Sequence, residues 1–511
     1  MEQLNPRLPD PGYFPMSLAA SSDWDYTSSA SLHPSNLGSS IDLRQSNAIG
    51  PSTVHTHDTG SLNSSQTQLL SRAYSIEHGD VSNRVSPQSR IPFGDRFDQA
   101  LPPLLSPAVV QAYPRILSMS PHNTREMIDF ALSTHDQMVK YACFKPLSQQ
   151  IARIRESLSQ RLYTCHTKRL IMFIGCKVIR CLASGTSTES LSFYKNWLDQ
   201  LDKELRLAPD WNLTFVESQN RRSGMLELAF IRFRLSNGTS VYRLLLDFSP
   251  VFLQIALAET ARQPTPSKSV SVSLAHLFAS GRCELAYFAL LDSLCSMLYA
   301  VPQAVDYDTS VQPFRAHSHP VQFWIYGCPP EFQMALADIN THFHRGGAGK
   351  HLNWKLVEQN LMSWKPALSA SDGESWRTIA RLAVQESWRH TLLIYLYMAV
   401  CKIASDDVRV QASVQQIFQL ASTIKPSEAP VINTHLVAQF LIAGACARDE
   451  KQRTIARERL GGEFDRGPMI LKSSDFLPVL DHLWHGAAAN GQPILWSDYV
   501  QSRQAALPVV I

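Results

Sequence analysis

The chain has 511 residues, 44% of them hydrophobic and 18% charged, with a formal net charge of +3. That provides for an ample core, in two or three domains of ~150 residues or in one longer helical unit. No Lys/Arg block approaches the density that binding to a phosphate backbone normally leaves, and the densest basic sites, Lys168-Arg169 and Arg221-Arg222, are isolated pairs that read as solvated charge.

Residues 1–100 are rich in Ser, Asn, Pro and Gly, contain no lysine and show no sustained hydrophobic period. Such a composition buries too little apolar surface to offset the entropy of ordering, so this segment is expected to be a disordered tail. Within it Tyr13-Phe14-Pro15-Met16 and Asp23-Trp24-Asp25-Tyr26 set aromatics in polar surroundings, the pattern of a short docking motif or of plain linker. No charged n-region precedes an apolar stretch, so the start does not read as a secretory signal. Order is expected from residue 101 to residue 511.

A short helix around Pro107–Tyr113 is followed by a stronger start at Ser120–Glu126, where Asn123 or Thr124 is placed to cap. Leu147–Leu158, the apolar Leu170–Ala183 and the amphipathic Leu191–Leu207 come next. The last carries Phe193, Trp197, Leu198, Leu201 and Leu205 on one side. Met225–Leu246 fits two patterns: alternation of Ile231, Phe233 and Leu235 with arginines ahead of Asn237-Gly238 suits a hairpin, while Met225, Leu228, Ala229 and Arg232 suit a helix. Helical neighbours favour two helices broken at Ser236–Ser240. Further helices are expected at Val251–Ala261, Ser273–Ala279 and Cys283–Val301. A connector from Pro302 to Pro330 then leads to Glu331–Phe343 and Trp354–Trp364.

The run Ser375–Cys401 carries a 3.6-residue stripe of Trp376, Ile379, Ala380, Ala383 and Val384, and no charge from Thr391 onward. It therefore predicts one long helix at the centre of the core, its second half enclosed on all sides. Val408–Ile424, Leu436–Ala447, the charged and solvated Glu450–Leu460 and a final helix at Phe476–Trp484 complete the series. No stretch reaches the ~20 apolar residues of a membrane span, because Asp247 and Pro250 interrupt Leu244–Ala258. The fold class is all-α, a large multi-helix bundle or superhelix.

Chemistry is sparse. Gly346–Lys350 imitates a phosphate loop, but His344 stands where the leading glycine belongs and His351 where Ser or Thr would follow. The histidine pairs at 55/57, 317/319, 342/344 and 482/485 lack further ligands at metal-site spacing and read as packing or surface residues. Tryptophans 364, 376, 388, 484 and 496 lie on helical patterns and read as core rather than as a ligand pocket. The nine cysteines, scattered singly on apolar stretches, fit buried reduced thiols. No residue is nominated as catalytic, cofactor-binding or metal-ligating, no cofactor is implied, and the protein is not expected to be an enzyme.

The C-terminal half carries the words Trp364-Lys365-Pro366, Ser375–His390, Ile394–Met398, Asp406–Gln411, Asp475–Gly486 and Trp496–Pro508 in this order. Phe144-Lys145-Pro146, Pro250–Gln254, Tyr307–Ser310 and Gly327–Phe332 accompany them. Together they resemble basidiomycete members of the fungal-specific transcription factor domain family. The resemblance implies an all-helical regulatory region, a nuclear location and, in typical members, a preceding six-cysteine binuclear zinc cluster that binds DNA. That cluster needs two Cys-x-x-Cys pairs. The first cysteine here is Cys143 and no such pair occurs, so its ligands map onto no residue of this sequence. The expectation is a transcription factor-like regulator without its own DNA-reading module. It would act through protein contacts, as a homodimer or by pairing with a cluster-bearing homologue, and away from membranes. The alternatives are a helical sensor or enzyme with a histidine- or tryptophan-lined site, and an interaction scaffold outside the nucleus.

Overall fold

The structure, a computed structural model, describes residues 121–141, 148–183, 188–207, 213–260, 271–280, 282–311, 327–346, 352–366, 375–424, 435–461 and 471–509. The tail, the Pro107–Tyr113 helix, Cys143, Trp324 and the histidine pairs at 55/57 and 317/319 lie outside these residues.

The described chain is all-α. In order come α1 (Pro121–Tyr141), α2 (Ser148–Thr164), α3 (His166–Ala183), α4 (Thr188–Leu207), α5 (Phe215–Leu235), α6 (Gly238–Thr260), α7 (Leu274–Ala279) and α8 (Cys283–Tyr299). The series continues with α9 (Pro330–Arg345), α10 (Trp354–Ser363), α11 (Ser375–Tyr395), α12 (Val408–Ser422), α13 (Val437–Ala445), α14 (Glu450–Gly461), α15 (Leu477–His485) and α16 (Trp496–Ala506). Two short strands, β1 (Val272–Ser273) and β2 (Tyr307–Asp308), pair in parallel, Val272 opposite Tyr307. Two residues give no readable alternation, which is why the sequence shows neither.

Local chemistry sets the helix ends. Thr214 and Glu217 form a reciprocal capping box at α5: the Glu217 N–H donates to Thr214 Oγ1 at 3.2 Å, and the Thr214 N–H donates to Glu217 Oε2 at 2.8 Å. Asp407 caps α12 by accepting from the Arg409 N–H at 2.9 Å, as its place before an apolar run predicts. At α1 the expectation is corrected. The helix already includes Pro121, so Asn123 and Thr124 sit inside its first turn, and the proline takes a position where a missing N–H costs nothing.

The ambiguous segment is resolved as two helices, α5 and α6, broken at Ser236-Asn237. Pro250 does not end α6, contrary to expectation. A proline removes the N–H that would bond the carbonyl four residues back. Here the Ser249 hydroxyl donates to that carbonyl, Leu246 O, at 3.0 Å. Because α6 runs on through the proline, Gly238–Glu259 does become long and apolar enough to cross a membrane by length and composition. Its Val241, Tyr242, Leu245, Phe248, Phe252 and Ile255 are instead buried in the core.

One hydrophobic cluster runs from Met127 to Leu507, and a smaller one lies between α1, α2 and α3. α11 packs against α9, α10, α12 and α13, and every residue from Leu392 to Ala399 is buried, as the uncharged run predicts. Yet the helix changes character there: Leu396–Val400 is a π-helical turn, closed by the Cys401 N–H donating to Leu396 O at 3.1 Å. Lys402 follows with φ of 54°. Phe193 on α4 and Ile379 on α11, placed on apolar faces by spacing, are exposed instead. The chain also ends on a helix that polar Ser502, Arg503 and Gln504 concealed, α16.

Candidate functional site

Two polar constellations lie inside this apolar frame. The first joins α3, α5, α6 and α8. Lys168 on α3 donates from Nζ to Ser223 Oγ at 3.1 Å, and the Ser223 hydroxyl in turn donates to Glu284 Oε1 at 3.0 Å. Glu284 also accepts from Arg282 at 2.9 Å, and Arg282 reaches Glu259 at 2.9 Å. Burial works to raise the Glu284 carboxyl, but the charges of Arg282, Lys168 and Arg161 outweigh it and bring it down to about 2. Glu227 is buried beside them with its Oε2 lacking a hydrogen-bond donor, and burial pushes its carboxyl up while pushing the Lys168 ammonium down. Lys168, Arg169 and Arg221 are thus buried, which corrects the reading of both basic pairs as solvated charge. The partners stand 55 and 61 residues apart in sequence. The one legible signal was an acid or a base placed inside an otherwise apolar helix.

The second constellation ties α8 to α9, α11 and the chain after α8. Asp292 is fully buried and accepts from the Ala304 N–H at 2.8 Å, the Val305 N–H at 3.2 Å and the Tyr307 hydroxyl at 3.0 Å. Burial outweighs these three donors and pushes its carboxyl up to about 7. Nearby, Asn340 Nδ2 donates to Ser293 O at 2.9 Å while its Oδ1 accepts from the Tyr395 hydroxyl at 2.8 Å. A buried polar group that is satisfied on each side fixes which helix faces which neighbour, so these bonds set the register of α8, α9 and α11.

The residues singled out by sequence do not converge. Trp388, Trp484 and Trp496 are buried, and the Trp484 Nε1–H donates to Gly444 O at 2.9 Å. Trp364 and Trp376 are partly buried at the edge of the core. His482 is turned to Ser502 Oγ at 3.1 Å, whereas His485 donates to Asp481 O at 2.7 Å. Among the described residues no three His, Cys, Asp or Glu side chains gather as a metal site. The buried thiols are held protonated: burial raises Cys176 and Cys446 to about 12 and pushes Cys295 and Cys328 well up. A thiol held protonated is a poor nucleophile.

What the described residues define is an all-α fold whose interior holds two polar networks, one around Glu284 and one around Asp292. Residues 280–507 match the family described as the fungal specific transcription factor domain, which is a transcription factor family and not an enzyme family. The match takes in the second constellation, the π turn and the C-terminal words read from the sequence, the last of them up to Leu507. Phe144-Lys145-Pro146 and Pro250–Gln254 fall before it. No curated protein and no solved structure matches the chain.

Proposed function

We propose that this protein is a transcription regulator that works in the nucleus through its helical region, residues 101–511, and through contacts with other proteins. The observation that carries the reading is the match of residues 280–507 to the fungal specific transcription factor domain. The finer part of the reading is that this region acts through other proteins, either a second regulator bearing a zinc cluster or a homologue paired with this chain. The net charge of +3 agrees, since a surface that reads DNA on its own usually concentrates Lys and Arg. The matched family is a transcription factor family and not an enzyme family, which supports a role other than an enzyme.

The test is tethering. Joined to an unrelated DNA-binding domain in a fungal cell, residues 101–511 are expected to change reporter transcription relative to that domain alone. A fluorescent fusion of the full chain is expected to concentrate in the nucleus. Exclusion of that fusion from the nucleus, together with reporter output unchanged by tethering, would overturn the reading.

A further inference from the structure

A cleft of about 500 Å³ opens where α4, the α5–α6 break and the chain ahead of α15 meet. Its walls carry Lys195, Arg232, Arg243 and Lys472 against a single carboxylate, Asp199, with Asn237 exposed at the break. Two of the four cations are already balanced. Arg232 is clamped by Asp199 at 3.0 Å and Asp202 at 2.8 Å, and Arg243 pairs with Asp247 at 3.3 Å. Lys195 and Lys472 have no ion-pair partner among the described residues. The start of α6 opens nearby, but its Gly238 N–H is taken by Asp475 Oδ2 at 2.8 Å, so the helix end is not the anchor.

We infer that this cleft binds a small organic dianion, a phosphate- or carboxylate-bearing ligand held between Lys195 and Lys472. The volume falls in the range of small-molecule sites, and Lys195 and Lys472 are the two wall cations that no carboxylate among the described residues pairs. The rigid arginine, fixed by two aspartates, supplies a wall and not a partner. Nucleic acid fits less well: the cleft is concave and its surplus charge is confined to two side chains, whereas a duplex needs a row of cations along its backbone. Lys195 belongs to the part of the chain before residue 280 and Lys472 to the part matched by the family. A dianion spanning them would fasten one to the other, which makes the site suited to sensing a metabolite. The inference stands independently of the nuclear reading above.

The experiment is titration calorimetry of the full chain with inorganic pyrophosphate and, separately, with citrate, at low ionic strength. Saturable one-to-one binding of either anion is expected, with the dissociation constant raised at least tenfold in Lys195→Ala and in Lys472→Ala. Which of the two binds names the anion class. Both lysines lie at the surface of the cleft, and unchanged thermal unfolding of the variants would show that the fold is retained. No saturable binding of either anion, or binding indifferent to both substitutions, would overturn the inference. So would tight binding of duplex DNA that needs the same lysines and is not displaced by pyrophosphate or citrate.

Discussion

Trp388 is enclosed on all sides in α11, with 2% of its surface exposed. Truncating it to alanine removes a large apolar side chain from a packed interior, so Trp388→Ala is expected to lower stability by ~3–5 kcal/mol, read from urea unfolding. The two buried acids predict opposite pH behaviour. Asp292 has its carboxyl at about 7 in the fold against an ordinary 3.8. Between those values the folded protein keeps a proton that the unfolded chain releases, so its contribution to stability falls as pH rises from about 4 to about 7. Glu284, held at about 2 against 4.5, stabilises fully above 4.5, and that stability is lost as pH falls toward 2. Urea midpoints measured across pH should therefore flatten between about 4 and about 7 in Asp292→Asn, and below about 4.5 in Glu284→Gln. Slopes unchanged from the parent would disprove the assignments. Sequence reading placed Trp388 correctly because a tryptophan inside a 3.6-residue stripe has few other places to go. It missed Lys168 and Glu284 because a charge looks solvated until its partner, carried by a distant helix, is known.

Elements were legible wherever an apolar stripe repeated over several turns, as in α3, α9 and α12. They were illegible where the pattern was uniform or too short. Leu396–Val400 is apolar throughout, so nothing in it separates a π turn from an α turn. Asn237-Gly238 carries a hairpin signal, and the surrounding helix packing overrode it. Pro250 shows the same lesson in reverse: a residue that normally breaks a helix is tolerated because the neighbouring hydroxyl takes over the orphaned carbonyl. This yields a double-mutant test. Ser249→Ala should lose about 0.5–1 kcal/mol, since Leu246 O then has only water as donor. In a Pro250→Ala background, where a backbone N–H is restored, the same change should lose almost nothing. Equal losses in both backgrounds would show that the hydroxyl is not what sustains α6. At α12, Asp407→Ala should lower stability by ~1 kcal/mol through loss of the cap, measured by the same unfolding.

At the scale of the molecule, the family match starts at residue 280, but the core does not. Tyr287 packs edge-on against Phe230 of α5 with ring centres 4.5 Å apart, and Phe288 stacks on Phe252 of α6 at the same distance. Glu284 draws one of its hydrogen bonds from Ser223 of α5, and Asp475 holds the start of α6 from 237 residues away. Cutting the chain at 280 would leave α8, every residue of which is buried, facing water along one side, and would take Ser223 and Lys168 away from Glu284, with Arg282 left as its partner. Such a face is an aggregation surface. Residues 280–507 expressed alone are therefore expected to be insoluble or to unfold without a cooperative transition. Residues 101–511 should remain soluble and unfold in a transition in which tryptophan fluorescence and helical circular dichroism change together. A soluble, cooperatively folding 280–507 fragment would mean that the earlier helices are an appendage. An insoluble one would make the unit of folding, and the unit to test in any transcription assay, larger than the unit the family recognises.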